Sequence, residues 1–148
     1  MSQETSNQGL SLDLSSFKKA LESLGRALEK WRLLPGDEFV RDSCIQRFES
    51  TYELAVKFLR RYLSMTESSA DTIDQLSFPA LIRTASERGI LLNDWSVWIV
   101  YRDKRNTTSH TYDEMKAIQI VQILPDFLCE VKYLFANIEE NLRINSRE

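Results

Sequence analysis

Apolar positions along the chain fall into stripes at spacings of three and four, the signature of amphipathic helices. Leu14, Phe17, Leu21, Leu24, Leu28 and Trp31 form the first stripe, with Asp13 placed to cap it and Leu34-Pro35-Gly36 to stop it. Asp37 precedes the second, Ile45, Phe48, Tyr52, Ala55, Leu59 and Tyr62. Leu54, Val56, Phe58 and Leu63 widen that stripe, so this helix touches two neighbours or a partner chain. The polar run from Thr66 to Ser77 reads as a loop. Ser77-Phe78-Pro79 then opens a short helix that Gly89 closes as a left-handed cap followed by apolar Ile90. Asn93 or Asp94 caps a segment carrying Trp95, Trp98, Ile99 and Tyr101, which should fail at Asn106-Thr107-Thr108-Ser109, residues that prefer caps and turns. Thr111-Tyr112-Asp113-Glu114 reads as a capping box with Thr111 at the N-cap. The last stripe runs Ile118, Val121, Leu124, Leu128, Val131, Phe135, Ile138 and Leu142, and Pro125 inside it predicts a bend within one helix.

These elements predict an all-α fold, an antiparallel four-helix bundle with one short extra helix. Residues 1–12 read as a flexible tail and 13–148 as a single domain. Four glycines and three prolines in 148 residues agree with a mostly helical chain and argue against loop-rich β folds. With 19 basic and 22 acidic residues, no overall field draws the chain to nucleic acid, so any such contact must be local. Cys44 and Cys129 are isolated, which predicts two reduced core thiols. One histidine and two separate cysteines do not make a zinc site, and nothing asks for a cofactor. No apolar run approaches the ~18 residues of a membrane span, and the polar start lacks a signal-peptide pattern, so a cytoplasmic protein is expected.

One segment stands apart from this generic bundle. Residues 101–113 gather Arg102, Lys104 and Arg105, the single histidine His110, and Tyr101 and Tyr112 around the predicted helix break. Arg105 and His110 would face ~140° apart on an unbroken helix and can converge only if the chain leaves the helix between them. The start of the following helix would then offer free N–H groups to a phosphate, with Tyr112 in its first turn. The plainer reading is a solvated cationic face and a polar connection. Trp95 and Trp98 are expected in the core, and Lys18-Lys19 and Arg60-Arg61 on ordinary helix surface.

Arg105-x4-His110-x-Tyr112 resembles the Arg-x4-6-His motif of HEPN domains. Leu12-Asp13-Leu14, Ile45-Gln46-Arg47-Phe48-Glu49, Tyr52-Glu53-Leu54-Ala55 and Arg105 through Glu114 are similar to the nucleotidyltransferase substrate-binding protein family, over about residues 12 to 142. Val56 stands where that family carries a bulkier aromatic, a difference of packing. The resemblance implies the toxin of a two-gene toxin–antitoxin module. Such a toxin is a metal-independent ribonuclease acting as a homodimer, silenced when a minimal nucleotidyltransferase adds AMP to the motif tyrosine, here Tyr112. It also implies an alternative, a non-catalytic substrate-binding subunit of that transferase.

The residues supply a mechanism for the first reading. Histidine changes charge near neutral pH, so His110 could take the proton of a ribose 2′-hydroxyl. Arg105 would stabilise charge on the phosphorane-like transition state, with Arg102, Lys104 and Asn106 as further RNA contacts. Cleavage needs a base and an acid, and one histidine per chain is supplied twice by a two-fold homodimer. In the second reading Arg105 and Tyr112 are contacts for a partner and carry no chemistry. A bundle with no site at all is the third.

Overall fold

The computed structural model describes residues 11–66 and 70–147, and they form helices without strands. Six helices follow in order: α1 (Ser15–Leu33), α2 (Glu38–Thr66), α3 (Ala70–Gln75), α4 (Phe78–Glu87), α5 (Trp95–Arg105) and α6 (Glu114–Arg147). The expected all-α bundle is therefore the fold, built on α1, α2, α5 and α6. Most of the expected tail, residues 1–10, lies outside the described residues.

Ring contacts fix the directions of the helices. Phe17 near the start of α1 stacks on Phe58 late in α2 at 5.8 Å and meets Phe135 of α6 at 5.6 Å, so α1 runs against both. Phe48 of α2 packs on Phe127 of α6 at 4.8 Å, which sets these two long helices side by side in the same direction. Tyr101 and Trp98 of α5 reach Phe127 at 5.2 and 6.3 Å, and α5 runs back along α2 and α6. Chain neighbours in the bundle are thus antiparallel. Polar bonds stitch α1 to α2: Arg47 Nε donates to Ser23 Oγ at 2.9 Å, and the Thr51 hydroxyl donates to the Ala20 carbonyl at 3.2 Å.

The predicted punctuation holds at several ends. Asp37 accepts from the N–H groups of Phe39 and Val40 at 2.9 and 3.2 Å and opens α2. Ser77 caps α4, and Asp94 caps α5 by accepting from Ser96 N at 3.0 Å. Gly89, with φ of 75°, ends α4 in a Schellman motif: Ile90 N donates to Ala85 O and Gly89 N to Ser86 O, both at 3.0 Å. Buried Ile90 supplies the accompanying apolar contact.

Four expectations need correction. Residues 70–75, expected as loop, form α3. Its buried anchor is Ile73, and Arg60 of α2 donates to the carbonyls of Ile73 and Leu76 at 3.0 and 3.3 Å, satisfying the orphan acceptors of its end. Thr66 ends α2, and residues 67–69 of that expected loop lie outside the described residues. The capping position of α1 is Leu14, with Asp13 one residue earlier accepting from Ser15 N at 2.9 Å. Thr111 does not cap α6. Asp113 does so instead, its carboxylate accepting from Lys116 N at 3.3 Å and its carbonyl from Ala117 N at 3.0 Å, because the turn in which Asp113 N donates to His110 O carries the chain past Thr111 before the helix starts. Cys44 is fully buried as expected, but Cys129 is exposed, since it falls on the solvent face of α6 between buried Phe127 and Glu130. α6 continues without interruption through Pro125, whose ring lines a cavity of about 1110 Å³ between α1 and α6.

Candidate functional site

The site lies at the end of the bundle where α5 stops and α6 starts. Asn106, Thr107, Thr108 and Ser109 leave the helix as the sequence predicts, through a chain of tight turns. Thr107 N donates to Lys104 O at 3.1 Å, Thr108 N to Arg105 O at 3.3 Å, His110 N to Thr107 O at 3.0 Å, and Asp113 N to His110 O at 3.0 Å. The hydroxyls of Thr107 and Thr108 add bonds of 2.9 Å to the Lys104 and Arg105 carbonyls. Short polar side chains here compete for the backbone and end the helix.

These turns bring His110 and Tyr112 together. His110 Nδ1 and the Tyr112 hydroxyl lie 2.9 Å apart, and the rings meet edge to face at 5.6 Å. Tyr112 is 82% exposed. Its position is not the first turn of α6 but the connection just before the Asp113 cap. That cap also corrects the expected phosphate seat, because the Asp113 carboxylate already takes part of the N–H array at the start of α6.

Arg105 is not bonded to His110. Its guanidinium reaches across to α2, where Nη2 donates to Glu53 and lies 3.5 Å from Glu49. Arg102, one turn earlier, sets its guanidinium 5.6 Å from the centre of the Phe78 ring. Asn106 is exposed at the C-cap of α5, roughly in line with Arg102. Lys104 is half-buried and lies about 200° around the helix from Arg102, so the cations do not share one face.

Beside Arg102 and Arg105 lies an aromatic cluster of Phe48, Tyr52, Phe78, Trp98, Tyr101 and Phe127. Trp98 is wholly buried and Trp95 half-buried against Phe78, so both belong to the packing. Burial pushes the Tyr52 phenol up to about 12 and the Tyr101 phenol well above its ordinary range, Glu130 and Asp126 adding to the latter. Neither can exchange a proton near neutrality. Tyr112 is the tyrosine of this region open to solvent.

Sequence reasoning missed three carboxylates. Glu130 of α6 is fully buried and organises the start of α5. Its Oε2 accepts from Leu92 N at 2.7 Å, and its Oε1 from Trp98 Nε1 at 2.9 Å, Asn93 N at 3.2 Å and Asn93 Nδ2 at 3.3 Å. Burial raises its carboxyl above the ordinary value, and those four bonds oppose the rise. The signal was a charge placed between Phe127 and Leu134 at spacings of three and four. Glu49 and Glu53 sit one turn apart on α2, and only the tertiary approach of α5 gives them a purpose. Among the described residues, no group of three or more His, Cys, Asp or Glu side chains could hold a metal ion, and no helix is long and apolar enough to cross a membrane.

Several known proteins are similar to this chain. The "Probable ribonuclease HepT" of Haemophilus influenzae is 40% identical over 96 residues, 65% of this chain and 65% of that relative, so the match spans just under two thirds of its length. A solved Haemophilus influenzae structure, described as revealing the fold of a substrate binding domain of a nucleotidyltransferase, superposes with a TM-score of 0.79. It is 30% identical, and the match covers 86% of this chain and 99% of that one. A Thermus thermophilus protein, also 30% identical, superposes with a TM-score of 0.53 over 78% of this chain and 98% of its own. Residues 12–140 match the family described as "Nucleotidyltransferase substrate binding protein like", and with that match over most of its length the chain belongs to this family.

Proposed function

We propose that this chain is a HEPN-type ribonuclease, the toxin of a toxin–antitoxin pair, acting without a metal in the cytoplasm as a homodimer. The observation that carries this reading is the contact of His110 Nδ1 with exposed Tyr112, in the turn that begins at Arg105. Similarity to the "Probable ribonuclease HepT" of Haemophilus influenzae supports it. His110 Nε2 takes the proton of a ribose 2′-hydroxyl, whose oxygen attacks the adjacent phosphorus. The bond from phosphorus to the 5′-oxygen breaks, and His110 of a second copy returns a proton to that oxygen. The products are a 2′,3′-cyclic phosphate and a 5′-hydroxyl. Arg105 steadies the charge on the phosphoryl oxygens, and Arg102, Lys104 and Asn106 contact the RNA. A nucleotidyltransferase partner silences the enzyme by adding AMP to Tyr112.

The test is RNA cleavage by purified protein in EDTA. Wild type should cut, and His110→Ala and Arg105→Ala should each lose about 10²–10⁴-fold. Light scattering tests the dimer, and mass spectrometry after incubation with the transferase and ATP tests the modification, which Tyr112→Phe should abolish. The second reading is a substrate-binding subunit without chemistry of its own, favoured by the description of the Haemophilus influenzae fold. Absent cleavage with retained transferase binding supports it.

A further inference from the structure

We infer that Glu53, assisted by Glu49, is a positioning residue for Arg105 in the proposed RNA cleavage, a role that rests on the ribonuclease reading above. Arginine at the end of a helix has several free torsions, and a guanidinium stabilises a transition state only if it is already aimed. Here the aim is set from another helix. The side chain of Arg105 is 27% exposed, against 59% for Glu53 and 42% for Glu49. Both carboxylates stand on one face of α2 and meet the same nitrogen, Nη2. Among the described residues, Nε and Nη1 of Arg105 make no hydrogen bond, so three N–H donors stay available for phosphoryl oxygens.

Stability does not account for this arrangement. Ion pairs this exposed contribute about 0–1 kcal/mol, and Arg102 and the aromatic cluster already hold α5 against α4 and α2. What two acids on one nitrogen do accomplish is to fix the plane of the fork. They also carry negative charge beside the RNA path, so the opposite role, a brake that competes with phosphate for Arg105, makes contrary predictions.

The experiment compares single-turnover cleavage in EDTA for wild type, Glu53→Gln, Glu53→Ala and the double variant Glu49→Ala/Glu53→Ala. Binding of a non-cleavable 2′-deoxy substrate and thermal melting are measured alongside. Positioning predicts unchanged melting, binding of the 2′-deoxy strand no weaker than wild type, and a cleavage rate down by about 10²-fold in the double variant. Glu53→Gln, which keeps an oxygen acceptor for Nη2, should retain more activity than Glu53→Ala. Faster cleavage in the variants overturns the inference in favour of a brake. Unchanged rates, or a loss confined to binding, overturn it as well. If wild type cuts RNA and loses activity with Arg105→Ala and His110→Ala, such outcomes refute positioning alone. A wild type that does not cut refutes the ribonuclease reading and this role with it.

Discussion

Replacing Glu130 tests how the site is held from below. Glutamine there keeps the shape but offers one acceptor where the carboxylate has two. Its oxygen can stay at the Oε1 position, bonded to Trp98 Nε1, Asn93 N and Asn93 Nδ2, while its NH₂ faces the Leu92 N–H now 2.7 Å from Oε2. One charge-assisted bond is lost, worth about 1.5–3 kcal/mol, and removal of a buried charge offsets part of it. A net loss of about 1–3 kcal/mol is expected for Glu130→Gln. Leucine strands the Leu92, Asn93 and Trp98 donors together, for about 3–5 kcal/mol. For a chain near this size each kcal/mol moves Tm by about 2–4 °C. Urea denaturation followed by tryptophan fluorescence and circular dichroism measures both. Because the network fixes the start of α5, the proposed RNA cleavage through Arg105 should fall in Glu130→Leu even where the protein remains folded. Both variants within about 0.5 kcal/mol of wild type, or leucine more stable than glutamine, would show that these bonds do not hold α5.

Further expectations follow from single features. Because Glu130 titrates higher in the folded chain than at the ~4.3 of an unfolded glutamate, the folded state binds more protons between the two values. Its contribution is therefore full below the unfolded value and lost as pH rises through the folded one, so the advantage of wild type over Glu130→Gln should shrink as pH rises above the ordinary glutamate range. Cys44 is fully buried and its thiol is pushed up to about 11 by burial, whereas Cys129 is exposed; a thiol reagent should label Cys129 in the native protein and Cys44 only on unfolding. Gly89→Ala meets no atom within 4 Å of the added carbon but keeps φ at +75°, so melting should report a loss of about 1–2 kcal/mol from backbone strain alone. Asp37→Ala removes the acceptor for two N–H groups of α2 and should cost about 1 kcal/mol in the same assay.

The bundle was legible because its signals are local. A stripe such as Ile45, Phe48, Tyr52, Ala55, Leu59 and Tyr62 needs only the helical repeat to be read, and all six residues are buried. Gly89 followed by Ile90 announces its cap within two residues. What escaped notice depends on distant partners. α3 has one buried side chain, Ile73, and its end is satisfied by Arg60 of another helix, so nothing within residues 70–75 marks it as helical. Glu130 looks like a surface charge until Leu92, Asn93 and Trp98 converge on it from 32 to 38 positions away. Glu49 and Glu53 likewise acquire meaning only from Arg105, 52 positions from Glu53. The cap of α6 is ambiguous in the sequence for a different reason. Thr111 and Asp113 are both good capping residues with compatible spacing, and the turn from His110 to Asp113 decides between them.

The Tyr112–His110 contact gives the proposed regulation a second arm beyond blocking the site. A histidine that accepts a proton at Nε2 must carry its own at Nδ1, and Nδ1 is the nitrogen that meets Tyr112. In that tautomer the phenol oxygen accepts from Nδ1–H and holds the imidazole in the form a general base requires. Adenylylation turns the phenol oxygen into a phosphoester bridge, a poor acceptor with no proton to give. The modification would then add a phosphate able to occupy Arg105 and also remove the partner that fixes the His110 tautomer. Tyr112→Phe separates the arms, since it deletes the hydroxyl without adding charge. Nitrogen-15 spectra of His110 should move from mainly Nδ1–H toward a mixture in this variant, and cleavage should fall moderately, by less than the modified protein loses. An unchanged tautomer and full activity in Tyr112→Phe would reduce the tyrosine to a point of attachment and leave charge and bulk as the whole of the silencing.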